Sequence, residues 1–183
     1  MAIQRLNIGH TAILVVDMQE RLLPAMHEKQ GVIDAVSKLI DGSNALGVPI
    51  LVTEQYRKGL GTTIAPIAQK LESAVCNEEK LKFSSCIKPI LDSLRTMGAR
   101  SVVVCGIEAH VCVLQTCLDL LDSGFVTAVA VDATASRRVA DRDAAIERMI
   151  QAGVLPVTVE SALLELVHEA GTASFKAILP IIK

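Results

Sequence analysis

The chain has no tryptophan, one tyrosine and three phenylalanines, which excludes a core built on aromatic rings and leaves Val, Ile, Leu and Ala to fill it. Neither sign of charge dominates. Eighteen basic against 20 acidic side chains leave a net charge of −2, and no basic run supplies the footprint of a nucleic-acid or anionic-membrane binder. No nucleic acid and no membrane are therefore expected as partners. The five cysteines (Cys76, Cys86, Cys105, Cys112, Cys117) are odd in number and contain no C-x-x-C, so a disulfide framework is not expected. The four histidines (His10, His27, His110, His168) lack paired ligand spacing, so no metal site is expected either. No G-x-G-x-x-G follows the first apolar run, which argues against a dinucleotide enzyme. No cofactor is expected. No apolar run approaches membrane-span length, and the opening Met1-Ala-Ile-Gln-Arg-Leu6 lacks a signal-peptide layout. Together these absences predict a soluble, cytoplasmic protein with reduced thiols.

What is present is a high aliphatic content: 51% of residues are hydrophobic. This suits parallel strands buried on both faces, which read as continuous branched-aliphatic runs. The length fits a single domain spanning 1–183. Strands are predicted at 11–17, 48–53, 73–75, 101–105, 126–132 and 155–159. Between and after them fall helical patterns at 31–46, 67–71, 87–97, 110–122, 141–152, 160–170 and 173–182, and 77–85 reads as a polar connection. The alternation predicts an α/β fold, a three-layer αβα sandwich with a mostly parallel six-stranded sheet and right-handed crossovers.

The most informative stretch is Val102-Val-Val-Cys-Gly-Ile-Glu-Ala-His-Val-Cys112, a strand passing through a Gly-containing turn toward a helix. A cysteine near a helix start meets free amides and the positive end of the dipole, which favour a thiolate and an oxyanion site. Cys112 equally suits a core position, since unpaired cysteines are among the most buried residues. In an open parallel sheet, ligands bind beyond the carboxyl ends of the strands where strand order reverses. If the first strand lies beside the one ending at Cys105, Asp17 meets Cys112 there and can take its proton. A cation would offset the carboxylate beside a thiolate. Lys80 and Lys82 both qualify, because residues two apart on extended chain share a side. Gln19, Gln55 and Tyr56 follow the first two strands on the ligand side and are candidate pocket residues.

These residues recur in a family. Leu14-Val-Val-Asp-Met-Gln19, Thr53-Glu-Gln-Tyr56 with Gly59-Leu-Gly61, Lys80-Leu-Lys-Phe-Ser84, Gly106-Ile-Glu-Ala-His-Val-Cys112 and Val131-Asp-Ala-Thr-Ala-Ser-Arg137 stand in the order that resembles the isochorismatase-like cysteine hydrolase superfamily. The resemblance is to its small branch of isochorismatase domain-containing proteins. It implies the Rossmann-like isochorismatase fold and a catalytic triad of Asp17, Lys80 and Cys112, Lys80 being preferred because the family lysine precedes a basic-aromatic-Ser sequence. It further implies a cis peptide between Ile107 and Glu108, and an oxyanion hole made by the backbone N–H groups of Glu108 and Cys112. The implied activity is cofactor-free hydrolysis of a small amide-like compound through a thioester. A homo-oligomer, dimer or tetramer, is expected from the resemblance together with the apolar composition.

The departures also inform. The histidine-containing metal motif of nicotinamidases is not matched after the second strand, where the chain reads Thr53-Glu-Gln-Tyr-Arg-Lys58. True isochorismatases cleave a vinyl ether without a cysteine nucleophile, so Cys112 argues against that substrate. Two further functions fit the same residues: a non-catalytic binding or scaffold protein that retains the fold, and a thiol redox sensor using Cys112.

Overall fold

Doubly buried aliphatic runs form the centre of one parallel sheet. The computed structural model describes residues 4–183; the first three residues of the N-terminal layout read above lie outside that range. The strands are β1 (Thr11–Val16), β2 (Ile50–Gln55), β3 (Cys76–Lys80), β4 (Ser101–Ile107), β5 (Val126–Ala135) and β6 (Leu155–Val157). They lie in the order β3-β2-β1-β4-β5-β6, with every neighbouring pair parallel. All residues of β1, β2 and β4 are buried.

Alternation along the strands feeds two apolar layers. Ile13, Val15 and Val103 pack with Val36, Leu39, Leu163 and Ile178 on one face, and Leu14, Val16 and Val104 pack with Leu94, Leu120 and Met149 on the other. The first face is covered by α1 (Lys29–Leu46), α7 (Val159–Val167) and α8 (Ala173–Ile182). The second is covered by α4 (Lys88–Thr96), α5 (Leu114–Asp122) and α6 (Val139–Ala152), while α2 (Arg57–Leu60) and α3 (Ala65–Ala68) are single turns after β2. The result is the three-layer αβα sandwich, each fully buried aliphatic side chain contributing about 1.5–3 kcal/mol.

The third strand departs from expectation: it runs over Cys76–Lys80, not 73–75, within the stretch read as a polar connection. It is an edge strand paired only with β2. Its inner positions Cys76, Glu78 and Lys80 are more buried than Asn77 and Glu79, so its period-2 signal is carried by polar residues instead of aliphatics. The expected helix start at residue 110 is also revised. A single π-helical turn over Ala109–Val113 comes first, and α5 begins at Leu114. β6 ends earlier, at Val157, because Thr158 caps α7 by accepting from the Ser161 amide.

β5 outruns its partner. Between the pairs Val104↔Val129 and Gly106↔Thr134 its register shifts, and the extra residues carry it on to lie beside the end of β4. Arg142 of α6 spans this irregularity, donating from Nε to the Thr134 carbonyl at 3.0 Å and from its terminal nitrogen to the Val131 carbonyl. Arg142→Met leaves both carbonyls without that donor. We expect a loss of about 1–3 kcal/mol, read as a fall of several degrees in the melting temperature.

Candidate functional site

The sheet order brings distant residues together at one crevice. β1 pairs with β2 on one side and β4 on the other, so strand order reverses beside β1, and Asp17 follows the last residue of that strand. Asp17 has a left-handed backbone, φ 53°, a conformation Asp tolerates better than most residues. Its amide donates to the Thr53 carbonyl at 3.0 Å and its carbonyl accepts from Gln19 N at 2.7 Å, which fixes the turn.

The Asp17 carboxylate is fully buried and faces Lys80, whose Nζ donates to Oδ2 at 2.7 Å with both side chains wholly enclosed. Lys82 is exposed; the chain leaves β3 at Lys80, so the alternation that made the two lysines equivalent ends there. Thr53 donates to Oδ1 of Asp17 at 3.3 Å and shares a hydrogen bond with the Ser85 hydroxyl at 2.8 Å. The Ser85 amide donates to Thr116 Oγ1 at 2.8 Å, and that hydroxyl donates to the Cys112 carbonyl at 2.6 Å. Thr53, Ser85 and Thr116 are buried. They form a polar chain that ties the end of β2, the segment before α4 and the Cys112 turn to one another.

Cys112 lies in the π-helical turn, 6% exposed, with its thiol hydrogen-bonded to Asp17. Burial, followed by the Asp17 charge, pushes this thiol up to about 12, and the Lys80 charge opposes the rise. Cys86 and Cys105 are likewise pushed up to about 12 by burial, but only Cys112 among the five has a cation opposing it. The thiolate favoured from the helix-start argument is thus corrected. The sulfur sits inside a turn and beside a carboxylate, so the resting group is a thiol. Burial also raises Asp17 above its ordinary carboxylate range, with the Lys80 charge and then its hydrogen bond holding it back.

The peptide between Ile107 and Glu108 is cis. The Glu108 side chain accepts from Arg137 Nε at 3.0 Å, and His110 Nδ1 meets the Ser136 hydroxyl at 2.9 Å, so both ends of the Cys112 turn are tied to the prolonged β5. A cavity of about 530 Å³ borders this edge, with His27, Thr134, Ser136 and Arg142 in its wall; Asp17, Lys80 and Cys112 are not in its wall.

The three candidate pocket residues separate. Gln19 is fully buried; Nε2 donates to the carbonyls of Gln55 (2.9 Å) and Gly61 (2.7 Å), while Oε1 accepts from Gln55 N at 2.6 Å. Gln55 accepts from Lys80 Nζ at 2.8 Å and donates to the Leu81 carbonyl at 2.9 Å. Both amides are spent within the protein, so their geometry is that of braces and not of pocket walls. Tyr56 is 44% exposed at the start of α2, with its backbone in the left-handed region at φ 37°. The hydroxyls of Thr53, Ser85 and Thr116 were not singled out from sequence. The available signal was a threonine closing an otherwise aliphatic strand, in register with Val16 just before Asp17.

A family model described as the isochorismatase domain matches residues 11–161. The chain is 42% identical over 168 residues to isochorismatase domain-containing protein 1 of Danio rerio, covering 91% of this chain and 59% of that protein. It is 40% identical over 181 residues to the secreted isochorismatase effector Isc1 of Phytophthora sojae (strain P6497), covering 96% and 86%. Among solved structures, MAR1 ribonuclease from Caenorhabditis elegans matches with a TM-score of 0.94 and 39% identity over 98% of this chain and 92% of that one. The chain therefore spans under two thirds of the zebrafish relative and most of the other two. Among the described residues no helix is long and apolar enough to cross a membrane.

Proposed function

Because this chain belongs to the isochorismatase-like hydrolase superfamily, we propose that it is a cofactor-independent cysteine hydrolase of small amide-like compounds, with Cys112 as nucleophile, Asp17 as proton acceptor and Lys80 as balancing cation. The observation that carries this reading is the enclosed Asp17–Lys80 pair at 2.7 Å with the Cys112 thiol hydrogen-bonded to the same carboxylate. A thiol pushed up to about 12 is a poor nucleophile at neutral pH unless a base removes its proton as it attacks, and Asp17 is placed for that transfer.

As Cys112 Sγ bonds to the substrate carbonyl carbon, its proton passes to Asp17 and the carbonyl oxygen gains the charge. The Glu108 and Cys112 amides are the donors proposed for that oxyanion. The carbon–nitrogen bond then breaks, the amine leaving with the proton from Asp17. Water, deprotonated by Asp17, attacks the thioester, and the thiol regains its proton as the acid departs. Lys80 stays charged throughout, compensating the negative charge that moves between sulfur and carboxylate.

The test uses p-nitrophenyl acetate as acyl donor, followed by a panel of small primary amides. Intact-protein mass spectrometry with peptide mapping should find an acetyl group on Cys112 that forms and clears, and Cys112→Ser should neither acquire it nor turn over any amide. Acetylation that leaves Cys112 untouched would overturn the reading. The C. elegans relative is named a ribonuclease, so the panel includes single-stranded RNA. RNA cleavage that survives Cys112→Ser would replace the amide reading with phosphodiester chemistry independent of the thiol.

A further inference from the structure

An ammonium has three N–H donors, and those of Lys80 are matched by three short acceptors: Asp17 Oδ2 at 2.7 Å, Gln55 Oε1 at 2.8 Å and the Phe83 carbonyl at 2.9 Å. The Lys82 carbonyl is farther, at 3.4 Å. Gln55 thus supplies the neutral side-chain acceptor of the set. It stands opposite Lys80 in the β2–β3 ladder, Gln55↔Lys80, so the two side chains leave adjacent strands together.

The Gln55 amide has one orientation. Nε2 donates to the Leu81 carbonyl at 2.9 Å, which turns Oε1 toward the ammonium. Its backbone is pinned as well: the amide donates to Gln19 Oε1 at 2.6 Å and the carbonyl accepts from Gln19 Nε2 at 2.9 Å. The acceptor is therefore held before Lys80 arrives.

We propose that Gln55 is a positioning residue: it holds the Lys80 ammonium charged and against Asp17 Oδ2, and so acts on the Cys112 proton through Lys80 without touching substrate. The inference rests on the hydrolase reading above and names a device within that site. A carbonyl acceptor favours the charged amine, and a fixed ammonium stabilises the thiolate that forms during attack. Commitment of Oδ2 to Lys80 leaves Oδ1, held by Thr53 at 3.3 Å, as the less engaged oxygen for the thiol proton.

The test measures the rate of Cys112 alkylation by iodoacetamide against pH, with peptide mapping, in wild type, Gln55→Met, Gln55→Glu and Asp17→Asn. Met keeps the bulk and removes the amide. It should slow Cys112 alkylation at pH 8 about tenfold, the equivalent of one pKa unit. Glu adds a like charge beside Asp17 and should slow alkylation further than Met does. Both variants lose the donor to Leu81, so a residue that only anchored that loop would give equal rates in the two; equal rates, or rates unchanged from wild type, overturn the inference. Should Gln55→Met not fold, Gln55→Asn, one methylene too short to reach Nζ, replaces it with the same expected slowing. The Asp17→Asn arm separates the two failures. If it leaves the Cys112 rate unchanged, the Asp17–Cys112 coupling fails and both readings go with it; if it responds and the Gln55 variants do not, only the role of Gln55 is lost.

Discussion

Asp17→Asn is expected to make Cys112 more reactive toward iodoacetamide while abolishing turnover. The two effects run in opposite directions because Asp17 acts on the thiol in two ways. Its charge and its hydrogen bond both keep the proton on sulfur, and they are among the causes that push Cys112 up to about 12. Asn removes that charge while Lys80 continues to favour the thiolate, so a larger fraction is ionised at any pH below the titration. Alkylation, which needs only the thiolate, should accelerate about tenfold for each unit by which the thiol pKa falls. Hydrolysis also needs a base to take the proton during attack and return it to the leaving amine. Losing such a group typically costs about 10²–10⁴-fold in rate. Parallel measurement of alkylation and of p-nitrophenyl acetate turnover checks the split. A fall in both would mean that Asp17 chiefly maintains the fold of the site, and a rise in both would remove it as the base. The same environment sets the acid side of the wild-type profile. Burial raises Asp17 from its ordinary range, and the base works only when ionised. Turnover should therefore fall on acidification at a pH above that of an ordinary aspartate, about 3.9.

How far such chemistry can be read from a sequence depends on where each residue's meaning comes from. β1, β4 and the first half of β5 are buried on both faces, so their aliphatic runs announced the parallel sheet and the crevice at its carboxyl edge. β3 did not announce itself, because an edge strand with one exposed face needs few aliphatics; its inner line is Cys76, Glu78 and Lys80. Lys80 and Lys82 were indistinguishable to an argument from alternation, which fails once the strand ends between them. The hydroxyls of Thr53, Ser85 and Thr116 were illegible for another reason. Each is an unremarkable polar residue until the fold sets it against the next, and the three come from separate elements. The state of the thiol was misjudged by a local argument: a helix start favours a thiolate only where the sulfur reaches free amides or solvent. Here it lies in a π-helical turn, buried against a carboxylate.

Gly106→Ala is expected to be the most damaging single-methyl addition in the site, for a reason that belongs to the sheet more than to the glycine's own turn. Gly106 pairs with Val16 on one side and Thr134 on the other, with φ 112°, a backbone that side chains rarely adopt. A Cβ placed there would stand 2.0 Å from the Val16 carbonyl oxygen and 2.9 Å from its carbonyl carbon. These are backbone atoms of a fully buried strand, so no rotamer change relieves the overlap; β1 and β4 must separate. They would separate one residue before Asp17, at the point that sets the carboxylate against Cys112. Backbone strain of about 1–3 kcal/mol and overpacking of similar size together remove a large part of a stability of about 5–15 kcal/mol. Gly124→Ala provides the comparison, since Gly124 also has positive φ, 88°, but its added Cβ meets nothing within 4 Å. Urea unfolding should show Gly106→Ala losing at least about 2 kcal/mol more than Gly124→Ala, with an unchanged slope against denaturant. The folded fraction of Gly106→Ala should also lose the coupling of Cys112 reactivity to Asp17, which Gly124→Ala retains. Equal losses in the two variants would show that positive φ alone accounts for Gly106, and that the close approach of β1 and β4 is not what holds Asp17 against the thiol.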